Sequence, residues 1–125
     1  MLDKANAFAT IPAQDLERAR SFYADKLGLQ PEEEGPEGLH YRCGDGAFLL
    51  FESSGEASGT HTQLGWDVDD IEATVATLRD QGVVFEEYDL PDLKTENGIV
   101  TIGDLRAAWA KDPDGNIIAI ESRTG

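Results

Sequence analysis

Apolar positions along the chain follow two rhythms, and one succession of them occurs twice. Behind Asp15, the residues Leu16, Ala19, Phe22, Tyr23 and Leu27 fall at helical spacing and stop at Gly28; behind Asp70, Ile71, Val75 and Leu78 do the same and stop at Gly82. Asp15 supplies an N-cap oxygen for the first helix, and Asp69 with Glu72 gives the second a capping-box-like start. Shorter apolar runs bounded by Gly, Pro, Asn and Asp read as strands: 6–11, ended by Pro12, then 29–34, 39–43 and 47–53, and in the second half 63–68, 83–88, 105–111 and 116–122. Turns at Asp45-Gly46 and Asp114-Gly115 join the last two strands of each half. Both halves therefore read β-α-β-β-β, about 5–54 and about 60–123, joined by a flexible 53–59 linker within a single domain over 1–125. Two copies of one unit share a core and leave a site where they meet.

The repeat is interrupted once, between Asp89 and Asp104. There Pro91, Asn97 and Gly98 break regular structure and Ile99-Val100-Thr101-Ile102 is only a brief apolar run. A segment this long is suited to covering a site, to forming an edge strand or to acting as a dimer arm, and the sequence leaves all three open.

Charge narrows the partners. With 25 acidic and 10 basic residues the net charge is −15, which repels phosphate backbones and anionic lipid and excludes a nucleic-acid partner. Neutral or cationic small molecules fit better. No run approaches the roughly 20 apolar residues of a membrane span, and Met1-Leu2-Asp3-Lys4 has no signal-peptide core, so a soluble, cytoplasmic chain is expected. A single Cys43 with two histidines can neither form an internal disulfide nor anchor a zinc cluster. No nucleophile constellation or phosphate loop is present, and Gly44-Asp45-Gly46 reads as a hairpin turn.

Taken in order, Ile11-Pro12-Ala13-Gln14-Asp15-Leu16-Glu17-Arg18-Ala19-Arg20-Ser21-Phe22-Tyr23, then Val68-Asp69-Asp70-Ile71 with Gly82-Val83, then Lys111-Asp112-Pro113-Asp114-Gly115-Asn116 resemble the vicinal oxygen chelate superfamily of glyoxalases, extradiol dioxygenases and fosfomycin- and bleomycin-resistance proteins. The resemblance implies an α+β fold of two βαβββ modules, whose curved mixed sheet surrounds a shared cavity commonly completed by a second identical chain. In metal-dependent members each module gives ligands from its first and last strands. Carried onto this chain, those positions are Phe8 and Gln63, seven residues before Asp15 and Asp70, with Ala119 and, by the internal repeat, Leu50. Only Gln63 has a donor atom, and a divalent ion needs several, so no metal and no cofactor are expected.

With the ion gone, an organic ligand held by aromatic walls is the expectation. By strand alternation Phe48, Leu50 and Glu52 share a face, as do Ile117, Ala119 and Glu121. Glu52 and Glu121 are thus candidates to grip a cation or serve as a general base, or else are solvated strand ends. Trp109, with Phe8, Phe51, Tyr88 and Trp66, offers stacking surfaces, and Arg42 is the cation best placed to meet an anionic group. The expected ligand-binding set is Phe8, Leu50, Glu52, Gln63, Trp109, Ala119, Glu121 and Arg42. The expected function is that of a metal-free homodimer sequestering a small organic molecule, a cation being one option. The alternatives are a glyoxalase-like lyase or dioxygenase with a displaced metal, a metal-independent isomerase, or an interaction module with a closed cavity.

Overall fold

Asp15 and Asp70 start the two helices by the same local bond. The Asp15 carboxylate accepts the backbone N–H of Arg18 at 3.1 Å, opening α1 (Leu16–Asp25), and that of Asp70 accepts Ala73 N–H at 3.1 Å, opening α2 (Ile71–Asp80). The second N-cap is therefore Asp70. Asp69 and Glu72 sit one position too early for a capping box, which needs the cap and the third helical residue.

The computed structural model describes residues 1–57 and 59–123, so Ser58 of the expected linker lies outside it. Strands β1 (Ala9–Ala13), β2 (Glu33–Gly35), β3 (Gly38–Cys43) and β4 (Gly46–Glu52) form one four-stranded sheet in the order β1-β4-β3-β2. After β5 (Thr62–Asp67) and α2 come a small hairpin, β6 (Asp89–Leu90) with β7 (Leu93–Lys94), then β8 (Val100–Ile102), β9 (Leu105–Lys111) and β10 (Ile117–Arg123). Here the four-stranded order is β5-β10-β9-β8. In both sheets the first strand runs parallel to the last while the others pair antiparallel. The protein is α+β, built of two βαβββ units with curved mixed sheets. Among the described residues no helix is long and apolar enough to cross a membrane.

Three strands differ from the sequence expectation. β2 keeps only the end of the expected 29–34 run, since pairing with β3 begins at Glu33 opposite His40 and closes at Gly35 opposite Gly38. β1 runs through Pro12 to Ala13 instead of stopping before it, because β1 is an edge strand bonded only to β4 and a missing N–H on its free side costs nothing. Residues 83–88 form a single bridge, Phe85 to Ala110, and the second strand of the second unit is β8, inside the interruption. Val83 and Phe85 are drawn into the core beneath α2, which leaves the remaining edge of β9 to β8. Between β7 and β8 the chain reverses at Asn97-Gly98, both at positive φ, with Glu96 and Ile99 exchanging backbone hydrogen bonds of 2.8 and 3.0 Å.

Each sheet packs one face on its helix. Ile11, Leu39, Tyr41, Phe48 and Leu50 meet Ala19 and Tyr23 of α1; Ala108, Ala110, Ile118 and Ile120 meet Ile71 and Val75 of α2. Phe22, Leu27, Leu64 and Trp66 touch both clusters, and Phe48 meets Trp66 edge-on at 6.2 Å. The two units thus join on their helix-covered sides within one chain, leaving the opposite sheet faces turned outward.

The turn between β9 and β10 latches the units together. Buried Asp112 accepts Asp114 N–H (2.9 Å) and Asn116 N–H (3.0 Å) on Oδ1, and Asn116 Nδ2 (2.8 Å) and the Tyr23 hydroxyl of α1 (2.9 Å) on Oδ2. Asn116 Nδ2 also donates to Pro12 O of β1 at 3.0 Å. Asp114 Oδ1 accepts Gln14 N–H at 2.9 Å and pairs with Arg18 at 3.1 Å.

Gly38 shows how tightly β3 approaches β4. It is buried at φ 140°, and a Cβ there would run into the Leu50 carbonyl oxygen and lie 3.1 Å from Phe51 Cα. Gly38→Ala is expected to lower the unfolding free energy by about 2–3 kcal/mol in urea melts. A loss under about 0.5 kcal/mol would mean that the two strands separate freely.

Candidate functional site

Strand pairing decides which residues look outward. Ile11 pairs with Leu50 and Trp66 with Ile120, while Thr10 pairs with Leu49 and Gly65 with Ala119. The counterpart of Ala119 is therefore Leu49. Leu50 is fully buried against α1 and takes no part in an outward-facing site. The slip has a local cause. The β3–β4 hairpin turns on Gly44-Asp45, with Cys43 opposite Gly46, whereas the β9–β10 turn is longer, with Lys111 opposite Ile117. Equating the two glycine turns displaces the repeat by one residue, and one residue inverts the face. By the same argument the counterpart of Glu121 is Phe51, not Glu52. Glu52 is exposed at its strand end beside Gln14, Ser53 and Ser54. Glu121 is half-buried on the outward face opposite Asp67, so the two glutamates do not converge.

Trp109 dominates the outward face of the second sheet. It stands on β9 and Thr62 on β5, on opposite sides of β10 and thus two strand spacings, roughly 10 Å, apart. Yet its indole Nε1 donates to Thr62 Oγ1 at 3.2 Å. The ring must lie across β10, over Ile117 and Ala119, which are only 7% and 2% exposed although they face away from α2. Ala119 is the direct cross-strand partner of Trp109, and a small side chain there leaves room for the ring. Tyr88 meets the indole edge-on at 5.8 Å. Burial, and then the charge of Glu86, push the Tyr88 phenol above its ordinary range and keep it neutral.

Beside this aromatic wall, β5 carries a bulge. Register passes from Ile117 opposite Thr62 to Ile118 opposite Leu64, so Gln63 has no partner on β10. Its Oε1 is buried and accepts no hydrogen bond among the described residues. An unsatisfied buried acceptor costs about 1–3 kcal/mol, which a ligand N–H would relieve.

The first unit supplies a separate cleft of about 610 Å³ that brings together Phe8, Arg42, His40 and the carboxylates Glu32, Glu33 and Asp45. Phe8 is 58% exposed just ahead of β1. Arg42 Nε is bound to Glu32 at 3.1 Å, so its charge is already answered and the cleft keeps an acidic balance. Trp66, a stacking candidate from the sequence, belongs instead to the shared core.

The site residues thus fall into two groups: Phe8 with Arg42, and Gln63, Trp109, Ala119 and Glu121. Sequence reading passes over Leu49 and Thr62. The only trace of Thr62 is the polar pair Thr62-Gln63 ahead of a strand, where a bulge sets both side chains near one face. The outward positions Phe8, Leu49, Gln63 and Ala119 offer one neutral amide between them. Among the described residues no group of three or more His, Cys, Asp or Glu could hold a metal ion. This donor set does not fit a divalent cation.

A family model described as Glyoxalase/Bleomycin resistance protein/Dioxygenase superfamily matches residues 5–120. No curated protein sequence matches the chain. Among solved structures, a glyoxalase family protein from Enterococcus faecalis is similar with a TM-score of 0.71 at 23% identity, covering 97% of this chain and 99% of that one. UcmS2 gives 0.72 at 20% identity, covering 93% and 96%. A glyoxalase/bleomycin resistance protein/dioxygenase from Alicyclobacillus acidocaldarius gives 0.69 at 18%, covering 98% and 93%. At these identities the structural likenesses establish the fold.

Proposed function

Because the chain belongs to the glyoxalase/bleomycin resistance protein/dioxygenase superfamily, we propose that it is a binding protein of the bleomycin-resistance type, one that sequesters a small planar, cationic organic molecule without a metal ion. The observation that carries this reading is the Trp109 indole laid over Ala119 and tied to Thr62, an aromatic surface where a metal-dependent relative needs donor atoms. Tyr88 extends that surface. Gln63 Oε1 offers an acceptor for a ligand N–H, and Asp67 with Glu121 places two carboxylates at the end of the same face. The net charge of −15 favours a cation at long range.

Joining of the two units on their helix-covered sides supports a homodimer in which the outward face of one chain is completed by another. Since Glu52 and Glu121 do not converge, paired carboxylate catalysis gains no support, and the donor set argues against a displaced metal site.

The test uses a Trp66→Phe background, in which Trp109 is the remaining tryptophan of the two in the chain. Metal-free bleomycin, a planar aromatic cation and an uncharged aromatic of the same size are titrated against its fluorescence. Saturable quenching by the cations, unchanged by chelator, is expected, with stabilisation reaching about 2.7 kcal/mol at a hundredfold excess over Kd. Binding that requires a divalent ion, or a large thermal shift from divalent ions alone, would sink the proposal.

A further inference from the structure

A second cleft, of about 610 Å³, lies on the opposite side of the second sheet from Trp109, between α2 and the segment that interrupts the repeat. Its charge runs against the rest of the molecule. In a chain with 25 acids and 10 bases every cation has acids to spare, and among the described residues Arg18, Arg20, Arg42, Arg106, Lys111 and Arg123 each lie within 4.0 Å of a carboxylate. Four cations, Lys4, Lys26, Arg79 and Lys94, have no such partner among the described residues, and two of them, Arg79 and Lys94, line this one cleft together with Arg106.

Arg79 is held in place by neutral groups. Its Nη2 donates to Asn97 O at 2.6 Å, in the positive-φ turn, and its guanidinium sits 5.7 Å from the centroid of the Phe85 ring. These contacts fix the side chain and leave most of its five donors without an acceptor among the described residues, while the Glu87 carboxylate stands beside the same Gly98 and offsets part of the charge. Arg106 Nη2 binds Glu72 at 2.8 Å, which uses one carboxylate of the lining. The nearby Glu87 accepts the Thr95 hydroxyl at 3.1 Å. Glu96 is the remaining acid of the lining.

We propose that this cleft is a second binding site, distinct from the Trp109 face, and that it takes the phosphate group of a small phosphorylated molecule between Arg79, Lys94 and Arg106. Three cations delivered by α2, β7 and β9 match a dianion with three acceptor oxygens better than a single carboxylate. The segment between Asp89 and Asp104 then has a role, since it supplies Lys94 and the Asn97 carbonyl that orients Arg79.

The test is an NMR titration of the full chain with inorganic phosphate, glycerol phosphate and acetate, each against sodium chloride at matched ionic strength. Saturable shifts of Arg79, Asn97 and Thr101 with glycerol phosphate are expected, with acetate weaker. Lys94→Gln should weaken binding about tenfold and Glu96→Gln should tighten it, both side chains being exposed and making no hydrogen bond or ion pair among the described residues. Trp109 fluorescence should not respond, which separates this site from the ligand face. Shifts that follow sodium chloride alone, an unchanged affinity in Lys94→Gln, or binding of free phosphate but not the ester would overturn the proposal.

Discussion

Asp112→Ala is expected to cost about 4 kcal/mol of stability and to move the urea midpoint down with little change in slope. The carboxylate is 5% exposed and accepts four hydrogen bonds, two from backbone N–H groups of its own turn, one from Asn116 and one from Tyr23 on the other unit. Removing it strands four donors in the interior, and each unsatisfied buried group costs about 1–3 kcal/mol before relaxation. Tyr23→Phe removes one of these bonds and is expected to cost only about 1–2 kcal/mol. A loss below about 1 kcal/mol for Asp112→Ala would show that the turn does not hold the units together.

The same contact sets an alkaline limit. Burial first, and then the Asp112 charge and hydrogen bond, push the Tyr23 phenol far above its ordinary value. A group whose folded pKa is raised gives stability that is complete below the unfolded pKa and declines above it. Stability should therefore begin to fall above about pH 10, where an unfolded tyrosine ionises. In Tyr23→Phe that decline should be shallower, and equal slopes in the two proteins would place its origin elsewhere.

The second large effect is expected at Trp109. Trp109→Ala should weaken the cationic ligand about thirtyfold or more, since a stacked tryptophan at the centre of a site commonly contributes 2 kcal/mol or more. The stability cost should stay near 2 kcal/mol, below the roughly 3–5 of a fully buried tryptophan, because this ring is half-exposed. Ala119→Leu tests the same wall from beneath. A larger side chain should lift the indole from Thr62, redshift its emission and weaken binding while every donor group remains. Unchanged affinity in both variants would remove the aromatic face from the binding account.

Local chemistry was legible from the chain. Asp15 caps its helix, Gly28 and Gly82 turn into the left-handed region behind their helices, and the β3–β4 hairpin of the first unit follows from its glycine turn. The second unit was legible only in part. Residues 83–88 are as apolar as a strand, yet Val83 and Phe85 are taken by the core, and the weaker run at Val100–Ile102 wins the edge of β9. At the site, Trp109 and Gln63 stood out by residue type, whereas the bulge that frees Gln63 and the contact of Trp109 with Thr62 depend on three strands lying side by side.

Periodicity, caps and turns act over a few residues, so the doubling of the βαβββ unit and the scarcity of donors at Phe8, Gln63 and Ala119 needed no coordinates. Which face of each strand meets a helix is different. Side chains alternate with a period of two, so an offset of one residue between the halves is invisible in either half alone and exchanges core for surface. Only the pairing of Thr10 with Leu49 and of Gly65 with Ala119 moved the site from Leu50 to Leu49, and only packing across β10 laid Trp109 over the place where an ion would need its ligands.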